Sequence, residues 1–258
     1  MKNRITLLFK NKSQEVLNVY FTAGHPRLED TGRIITALNA NGVDLIEVGL
    51  PYSDPLADGT TIQGSSQKAL ANGITLGKIF QQIKEIRKTV ETPIILMGYY
   101  NQVLQYGPEK FLKECNLSGV DGLIIPDLPM DEYEEEYRLL FEQNNLGISF
   151  LITPETSNER IHQADTLSSA FIYVVSKSSI TGSAKDLDTV QKEYFQRINA
   201  LKLNTPTLIG FGIHDKETYT EACSHSNGAI IGSAFIRALE AEGTITDKVS
   251  KFFSKLER

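Results

Sequence analysis

The chain has 258 residues, and its 26 lysines and arginines against 32 aspartates and glutamates give a formal net charge of −6. A hydrophobic content of 41% and a charged content of 22% are typical of folded globular domains and exclude a chain that is disordered throughout. The acidic balance disfavours a nucleic-acid-binding protein, which needs a basic surface to neutralise phosphates. No apolar run approaches the roughly 18 residues that indicate a membrane span.

Cysteine and histidine spacing disfavours a disulfide scaffold and a metal site. Cys115 and Cys223 lie far apart and outside any CxxC pattern, as expected for free thiols in a reducing compartment. The four histidines show no HxH or HExxH spacing. The apolar stretch at residues 5–9 is shorter than a signal-peptide core of about 7–15 residues. The sequence therefore predicts a cytoplasmic protein without a metal ion.

Short β-rich runs alternate with segments of helical period along the whole chain. Strands are predicted at residues 16–21, 43–48, 93–97, 122–125, 147–152, 170–175, 207–210 and 228–231. Helices are predicted at residues 28–41, 76–90, 130–144, 159–167, 189–201, 216–223 and 246–256. Three further helices lie outside this repeat, at residues 2–11, 60–72 and 234–241.

This alternation predicts parallel strands that are buried on both faces, because the runs are apolar without polar alternation. Two architectures fit: a closed (β/α)8 barrel and an open doubly wound sheet. Eight strands in a chain of this length favour the barrel. The first strand is followed by TAGHP rather than by the GxGxxG turn of a Rossmann sheet. We therefore predict an α/β protein with a single TIM barrel, an extra N-terminal helix, and short extra helices after strands 2 and 8.

Carboxylates cluster at the end of the second predicted strand. Glu47 interrupts this apolar strand, and Asp54 and Asp58 follow in a loop marked by proline and glycine. If Glu47 points into the barrel, desolvation raises its pKa toward that of an acid/base catalyst; the alternative is an exposed glutamate or a structural ion pair. The three carboxylates could also bind Mg²⁺. The favoured interpretation is a pair of these carboxylates, one that shuttles a proton and one that stays ionised.

Glycines at the ends of the seventh and eighth predicted strands indicate a phosphate site. Gly210 and Gly212 end strand 7, and Gly232 and Ser233 precede the helix at 234–241. Glycine lets the backbone approach a phosphate, and a helix N-terminus offers free N–H groups, although any tight turn also uses glycine. The polar loop at residues 176–184 is interpreted either as a lid that excludes water or as an ordinary loop.

The segment LIEVGLPYSDPLADGTTIQ is followed in order by LMGYYN, PDLP, SSITG, GFGI and IIGSAF. This set resembles the tryptophan synthase alpha subunit family over essentially the whole chain. No composition break or Pro/Ser-rich linker divides the chain, which predicts one domain over residues 1–258. The resemblance implies a carbon–carbon lyase. The implied reaction is the retro-aldol cleavage of indole-3-glycerol phosphate to indole and glyceraldehyde 3-phosphate, in the last stage of tryptophan biosynthesis.

The resemblance also implies roles for individual residues. Glu47 is expected to be the general acid/base, and Asp58 is expected to face the indole N–H and stabilise positive charge on the ring. The expected substrate-binding residues are Tyr20, Tyr99, Tyr173, Thr181, Gly182, Phe211, Gly212, Gly232 and Ser233, with Ile62 a further pocket position. For the aromatic residues, packing at the strand ends is the alternative.

The resemblance implies no cofactor in this chain and a PLP-bearing beta subunit as partner, in an α2β2 heterotetramer. Residues 51–58, 100–102 and 126–129 would face that subunit. The chain departs from the family pattern at Thr60, Lys177 and Ser179, which bears on lid closure and coupling between subunits. The alternatives are a stand-alone indole-3-glycerol phosphate lyase, a catalytically silent activator of the beta subunit, and a different phosphate-binding barrel. The presence of Glu47 and Asp58 disfavours the silent activator.

Overall fold

The structure, a computed structural model, describes residues 3–55, 58–176, 184–210 and 212–256. In these residues nine parallel strands form one sheet, in the order β5-β4-β3-β2-β1-β9-β8-β7-β6. The strands are β1 (Val16–Thr22), β2 (Leu45–Gly49), β3 (Ile94–Met97), β4 (Gly122–Ile124), β5 (Gly147–Ser149), β6 (Leu151–Ile152), β7 (Ile172–Val175), β8 (Thr207–Gly210) and β9 (Gly228–Ile231).

The two outer strands of this order are the two halves of one barrel strand. β5 pairs with β4, β6 pairs with β7, and only Phe150 separates β5 from β6. The Phe150 carbonyl accepts a hydrogen bond from the Tyr173 N–H at 2.9 Å. The sheet therefore closes on itself with eight strand positions, and the predicted (β/α)8 barrel is confirmed. The predicted strand at 147–152 is interrupted at Phe150.

Helices surround the barrel and follow most of the strands. They are α1 (Arg4–Asn11), α2 (Asp30–Ala40), α3 (Thr60–Ala71), α4 (Leu76–Ile86), α5 (Tyr100–Tyr106), α6 (Pro108–Ser118), α7 (Met130–Glu132), α8 (Arg138–Gln143), α9 (Asn158–Leu167), α10 (Ala184–Ala200), α11 (Lys216–His225), α12 (Ser233–Leu239) and α13 (Ile245–Leu256). The three predicted extra helices are present as α1, α3 and α12. A π-helical segment (Tyr133–Tyr137) joins α7 to α8, so the predicted helix at 130–144 is not uniform.

The sequence analysis does not predict α5 and α6, which lie between β3 and β4. Their boundaries nevertheless carry ordinary signals. Pro108 occupies the first turn of α6, where the missing N–H costs nothing, and Gly119 ends it with a left-handed φ of +86°.

Apolar side chains form two layers, one between the barrel and its helices and one inside the barrel. On β1, Leu17 and Val19 face the helices, whereas Val16 and Tyr20 face the interior. Both faces of each strand are thus buried, which explains why the strands read as continuous apolar runs.

A buried ion pair closes the N-terminal end of the barrel. Asp121 Oδ2 lies 2.7 Å from Arg87 Nη2 and also accepts the Ile94 N–H at 2.9 Å, and Arg4 of α1 reaches Asp121 Oδ1 at 3.2 Å. Ile5 of the same helix is fully buried in the interior layer. The helix α1 therefore covers the end of the barrel opposite to the C-terminal ends of the strands.

None of the helices in the described part of the chain combines the length and the apolar character that a membrane span requires.

Candidate active site

Glu47 is fully buried on β2, where it faces a cavity at the C-terminal end of the barrel. Its register partners on the neighbouring strands are Tyr20 and Ile95, both interior residues. Its Oε2 accepts a 2.6 Å hydrogen bond from Asn18 Nδ2, and its Oε1 has no partner among the described residues. Burial raises the pKa of Glu47 to about 8, against the opposing effect of the Asn18 hydrogen bond. The side chain is therefore a carboxylic acid at neutral pH.

Asp58 lines the same cavity from the loop between β2 and α3. It is less buried than Glu47, and desolvation raises its pKa only to about 6. Its Oδ2 accepts a hydrogen bond from the Tyr99 hydroxyl at 3.2 Å, which stabilises the carboxylate. At neutral pH Asp58 is therefore mostly ionised. One acid and one carboxylate therefore face the same space.

Two tyrosines form the walls of the cavity, and glycines on neighbouring strands make room for them. Tyr20 and Tyr173 both line the cavity and are nearly buried. A Cβ at Gly49 would collide with the Tyr20 ring and hydroxyl, and a Cβ at Gly210 would collide with those of Tyr173. Gly49 and Gly210 do not line the cavity themselves, but they shape it by making room for the two tyrosine rings.

The glycine-rich ends of β8 and β9 also line the cavity. Gly212, with a φ of +81°, follows β8, and Gly232 precedes α12. Ser233 and Ala234 begin α12, where the first backbone N–H groups have no carbonyl partner within the helix. Such N–H groups and the positive end of the helix dipole favour an anion.

The structure brings most of the predicted site residues together. Those that line the one cavity are Tyr20, Glu47, Asp58, Ile62, Tyr173, Gly212, Gly232 and Ser233. Tyr99 is not among its lining residues; its ring stacks on Tyr52 at 5.0 Å between centroids, and its hydroxyl contacts Asp58. The predictions for Thr181, Gly182 and Phe211 fall outside the described residues.

Several residues of the site are missing from the sequence analysis. The cavity is also lined by Met97, Ile213, His214, Ile230, Ala234 and Arg237. Strand parity could have indicated Ile230, whereas His214 and Arg237 carry no local signal of their direction. Asn18 was also missed, although it is a polar residue with the same inward parity as Tyr20.

His25 lies buried at the turn after β1, and its Nε2 is 3.1 Å from Glu240 Oε1. It does not line the cavity. Among the described residues, no group of three or more His, Cys, Asp or Glu side chains is placed to hold a metal ion.

A family model described as "Tryptophan synthase alpha chain" matches residues 8–257. The chain belongs to the tryptophan synthase alpha chain family. A member from Flavobacterium psychrophilum is 53% identical over 245 residues, which are 95% of this chain and 96% of that protein. A member from Christiangramia forsetii is also 53% identical, over 246 residues and 95% of both chains.

Solved structures of the tryptophan synthase family have the same fold. The A-subunit of tryptophan synthase from Pyrococcus furiosus is 32% identical and superimposes with a TM-score of 0.85, over 95% of this chain and 98% of that one. A chain of tryptophan synthase from Mycobacterium tuberculosis, in an aminoacrylate-bound form, is 28% identical with a TM-score of 0.86, over 99% and 98% of the two chains.

Proposed function

We propose that this chain is a lyase that cleaves indole-3-glycerol phosphate into indole and glyceraldehyde 3-phosphate. The observation that carries the proposal is the pair of carboxyl groups at one cavity, Glu47 with a pKa raised to about 8 and Asp58 with a pKa raised to about 6. A retro-aldol cleavage of this substrate needs one group that gives and takes a proton and one that stays ionised beside the ring.

The proposed reaction returns Glu47 to its starting state. The Glu47 carboxylic acid donates its proton to C3 of the indole ring, which becomes an indolenine-like cation. The Asp58 carboxylate accepts the ring N–H and stabilises this positive charge. Glu47, now a carboxylate, takes the proton from the 3′-hydroxyl as the carbon–carbon bond breaks. The bond electrons return to the ring, so indole and an aldehyde leave together.

The cavity offers both apolar surface and hydrogen-bond donors, which suit the two parts of this substrate. Tyr20, Tyr173 and Ile62 offer apolar surface for the indole ring near the two carboxyl groups. Gly212, Gly232 and Ser233 offer backbone and hydroxyl donors for the phosphate. A cavity of this kind holds the scissile bond between the phosphate and the ring.

We propose a PLP-bearing beta subunit as the partner, in an α2β2 assembly, with no cofactor held by this chain. A complex of tryptophan synthase is among the similar solved structures, from Pyrococcus furiosus. The three segments expected to face the partner contact one another. Gln102 donates to the Pro51 carbonyl at 3.0 Å, and the Tyr100 N–H donates to Asp127 at 2.8 Å. They therefore form one continuous surface next to the cavity.

We also propose a cytoplasmic location, because Cys115 is a buried free thiol and neither cysteine belongs to a CxxC pattern, as is usual in a reducing compartment.

The test is indole release from indole-3-glycerol phosphate by the purified protein, with and without a tryptophan synthase beta subunit. We expect weak activity alone and a sharp rise with the beta subunit. Equal and high activity in both conditions would indicate a stand-alone lyase. Tight substrate binding with no indole release in either condition would contradict the catalytic assignment and leave a binding partner.

A further inference from the structure

One polar side chain in the barrel interior has no place in the reaction described so far. Asn18 is fully buried on β1. Its neighbours of the same parity, Val16 and Tyr20, belong to the interior layer, and its register partner is the interior residue Leu45. A buried amide in an apolar layer is costly unless it makes hydrogen bonds.

The Asn18 amide donates a hydrogen bond to Glu47. Nδ2 lies 2.6 Å from Glu47 Oε2, and Oδ1 has no partner among the described residues. Asn18 does not line the cavity, whereas Glu47 does. Since Asn18 binds Oε2 of Glu47, Oε1 of Glu47 is the oxygen that remains available to a bound molecule.

We propose that Asn18 is a positioning residue for Glu47: its amide holds one carboxyl oxygen so that the other meets the substrate. The inference rests on the proposed function, because it concerns how the proton-carrying group of that reaction is held.

An amide suits a carboxyl group that changes its protonation state during the reaction. The N–H donates to the carboxylate form, and the free Oδ1 can accept from the carboxylic acid form after rotation of the amide group. An apolar side chain at position 18 could do neither. A fully buried carboxylate without a donor is strongly disfavoured, so Glu47 would then release its proton less readily.

The other groups that act electrostatically on Glu47 do not replace this donor. They are Asp58 from the loop after β2, and the phenols Tyr20 on β1 and Tyr173 on β7. The charge on Asp58 disfavours ionisation of Glu47, and Asn18 acts in the opposite direction.

The experiment replaces Asn18 by valine, which fits a buried strand. Indole release is measured from about pH 6 to about pH 10, because the acid form of Glu47 acts first and activity falls as Glu47 ionises. Loss of a charge-assisted hydrogen bond should move this basic limb upward by about one pH unit and lower kcat about tenfold. KM should stay within about twofold, since the substrate does not touch Asn18.

Ser149→Ala is the matched control. Ser149 is also buried, and its Oγ accepts the Phe171 N–H at 3.3 Å, away from Glu47. This variant should keep the pH profile of the unsubstituted protein. If the valine variant does not fold, Asn18→Ala takes its place.

A second measurement separates this inference from the proposed function. Infrared titration of the Glu47 carboxyl group, identified by subtracting the spectrum of Glu47→Gln, reports its ionisation without any turnover. A raised midpoint in the Asn18 variants supports the inference even if the unsubstituted protein releases no indole. The lack of indole release would contradict only the proposed function. An unchanged midpoint in a folded Asn18 variant overturns the inference.

Discussion

Glu47 and Asp58 differ in protonation because the chain buries them to different depths. Glu47 lies on a strand inside the barrel and is fully buried, whereas Asp58 lies in a loop and keeps a hydroxyl donor, Tyr99. Desolvation raises both pKa values, and the smaller rise at Asp58 leaves it ionised where Glu47 is still an acid. Position in the barrel thus sets the different protonation states of the two carboxyl groups.

Glu47→Gln should abolish indole release while substrate binding persists. The amide keeps the shape of the side chain but cannot donate and recover a proton, so the loss should reach about a thousandfold or more. Steady-state kinetics and isothermal titration with substrate check the two halves of this prediction. Turnover close to that of the unsubstituted protein would remove Glu47 from the reaction.

The same variant should also reveal that Glu47 destabilises the fold at alkaline pH. The folded pKa is about 8 and the unfolded value is near 4.5, so between these values the folded state keeps a proton that the unfolded state loses. The free energy of unfolding therefore falls by up to about 1.4 kcal/mol per pH unit across this window. The gain in Tm from Glu47→Gln should be small near about pH 5 and several degrees near about pH 8.5.

Calorimetric scans at both pH values check this expectation, with Glu135→Gln, an exposed glutamate, as control. A Tm difference that does not change with pH would contradict a buried acid at position 47.

Much of the site at this scale could be predicted from sequence, because Glu47 and the terminal glycines each break a local pattern, whereas only the family resemblance distinguished Asp58 from Asp54. Asn18 could have been found in the same way, since it interrupts an apolar strand. His214 and Arg237 could not, because the direction of a loop or helix-surface side chain depends on tertiary packing.

At the scale of elements, glycines on β2 and β8 hold the cavity open. Gly210→Ala should push the Tyr173 ring from its place, because the added methyl group would occupy the space of that ring. We expect kcat/KM to fall about tenfold or more with the helical content unchanged. Kinetics and circular dichroism test this.

Gly64→Ala is the matched control, because no atom of the described residues outside α3 lies within 4 Å of a Cβ at that exposed helical position. It should keep full activity and gain up to about 1 kcal/mol of helix stability. Equal kinetics in both variants would show that Gly210 does not shape the cavity.

Helix α5 carries an exposed leucine on the surface proposed to meet the beta subunit. Leu104 is 46% exposed in α5, close in sequence to Asn101, which donates to the Tyr52 hydroxyl at 3.0 Å. Leu104→Glu should leave the basal activity unchanged and raise the beta-subunit concentration needed for half-maximal activation about tenfold or more.

Leu117→Glu provides the comparison, since Leu117 is 55% exposed at the end of α6 that precedes β4, at the opposite end of the barrel. Equal activation curves for the two variants would place the partner elsewhere.

Helices α5 and α6 show a limit of predicting elements from sequence, because neither was predicted. The pair α5 and α6 carries the usual signals at Pro108 and Gly119, but α5 is only seven residues long and has too few turns for a clear apolar period. The interruption at Phe150 has no sequence signal, because it arises where the fifth barrel strand must pair with β4 on one side and β7 on the other.

At the scale of the whole molecule, the buried Asp121–Arg87 ion pair and the proposed active site lie at opposite ends of the barrel strands. Asp121→Ala should lower the free energy of unfolding by about 3–5 kcal/mol, because it leaves Arg87 buried without its partner. The kcat at a temperature where the variant is folded should not change. Urea unfolding and kinetics measure the two quantities.

Glu91→Ala serves as the control, since Glu91 meets Arg4 at 3.1 Å but its side chain is 83% exposed. It should cost less than about 1 kcal/mol. A comparable loss in both variants would mean that burial of the Asp121 pair is not what makes it important.

The barrel class followed from the count and spacing of apolar runs, whereas this ion pair did not. Asp121 lies 34 residues from Arg87 and 117 residues from Arg4 in the sequence, so no local pattern predicts that the three side chains meet.

The buried ion pair between Asp121 and Arg87 has a consequence for the redesign of this protein. Residues at the two ends of a strand share few neighbours, and the effects of distant substitutions on stability add. A variant with a new cavity shape that unfolds too easily can therefore be repaired by strengthening the Asp121 end, with no effect on turnover. Substrate range and robustness can be selected in separate libraries and then combined in one gene.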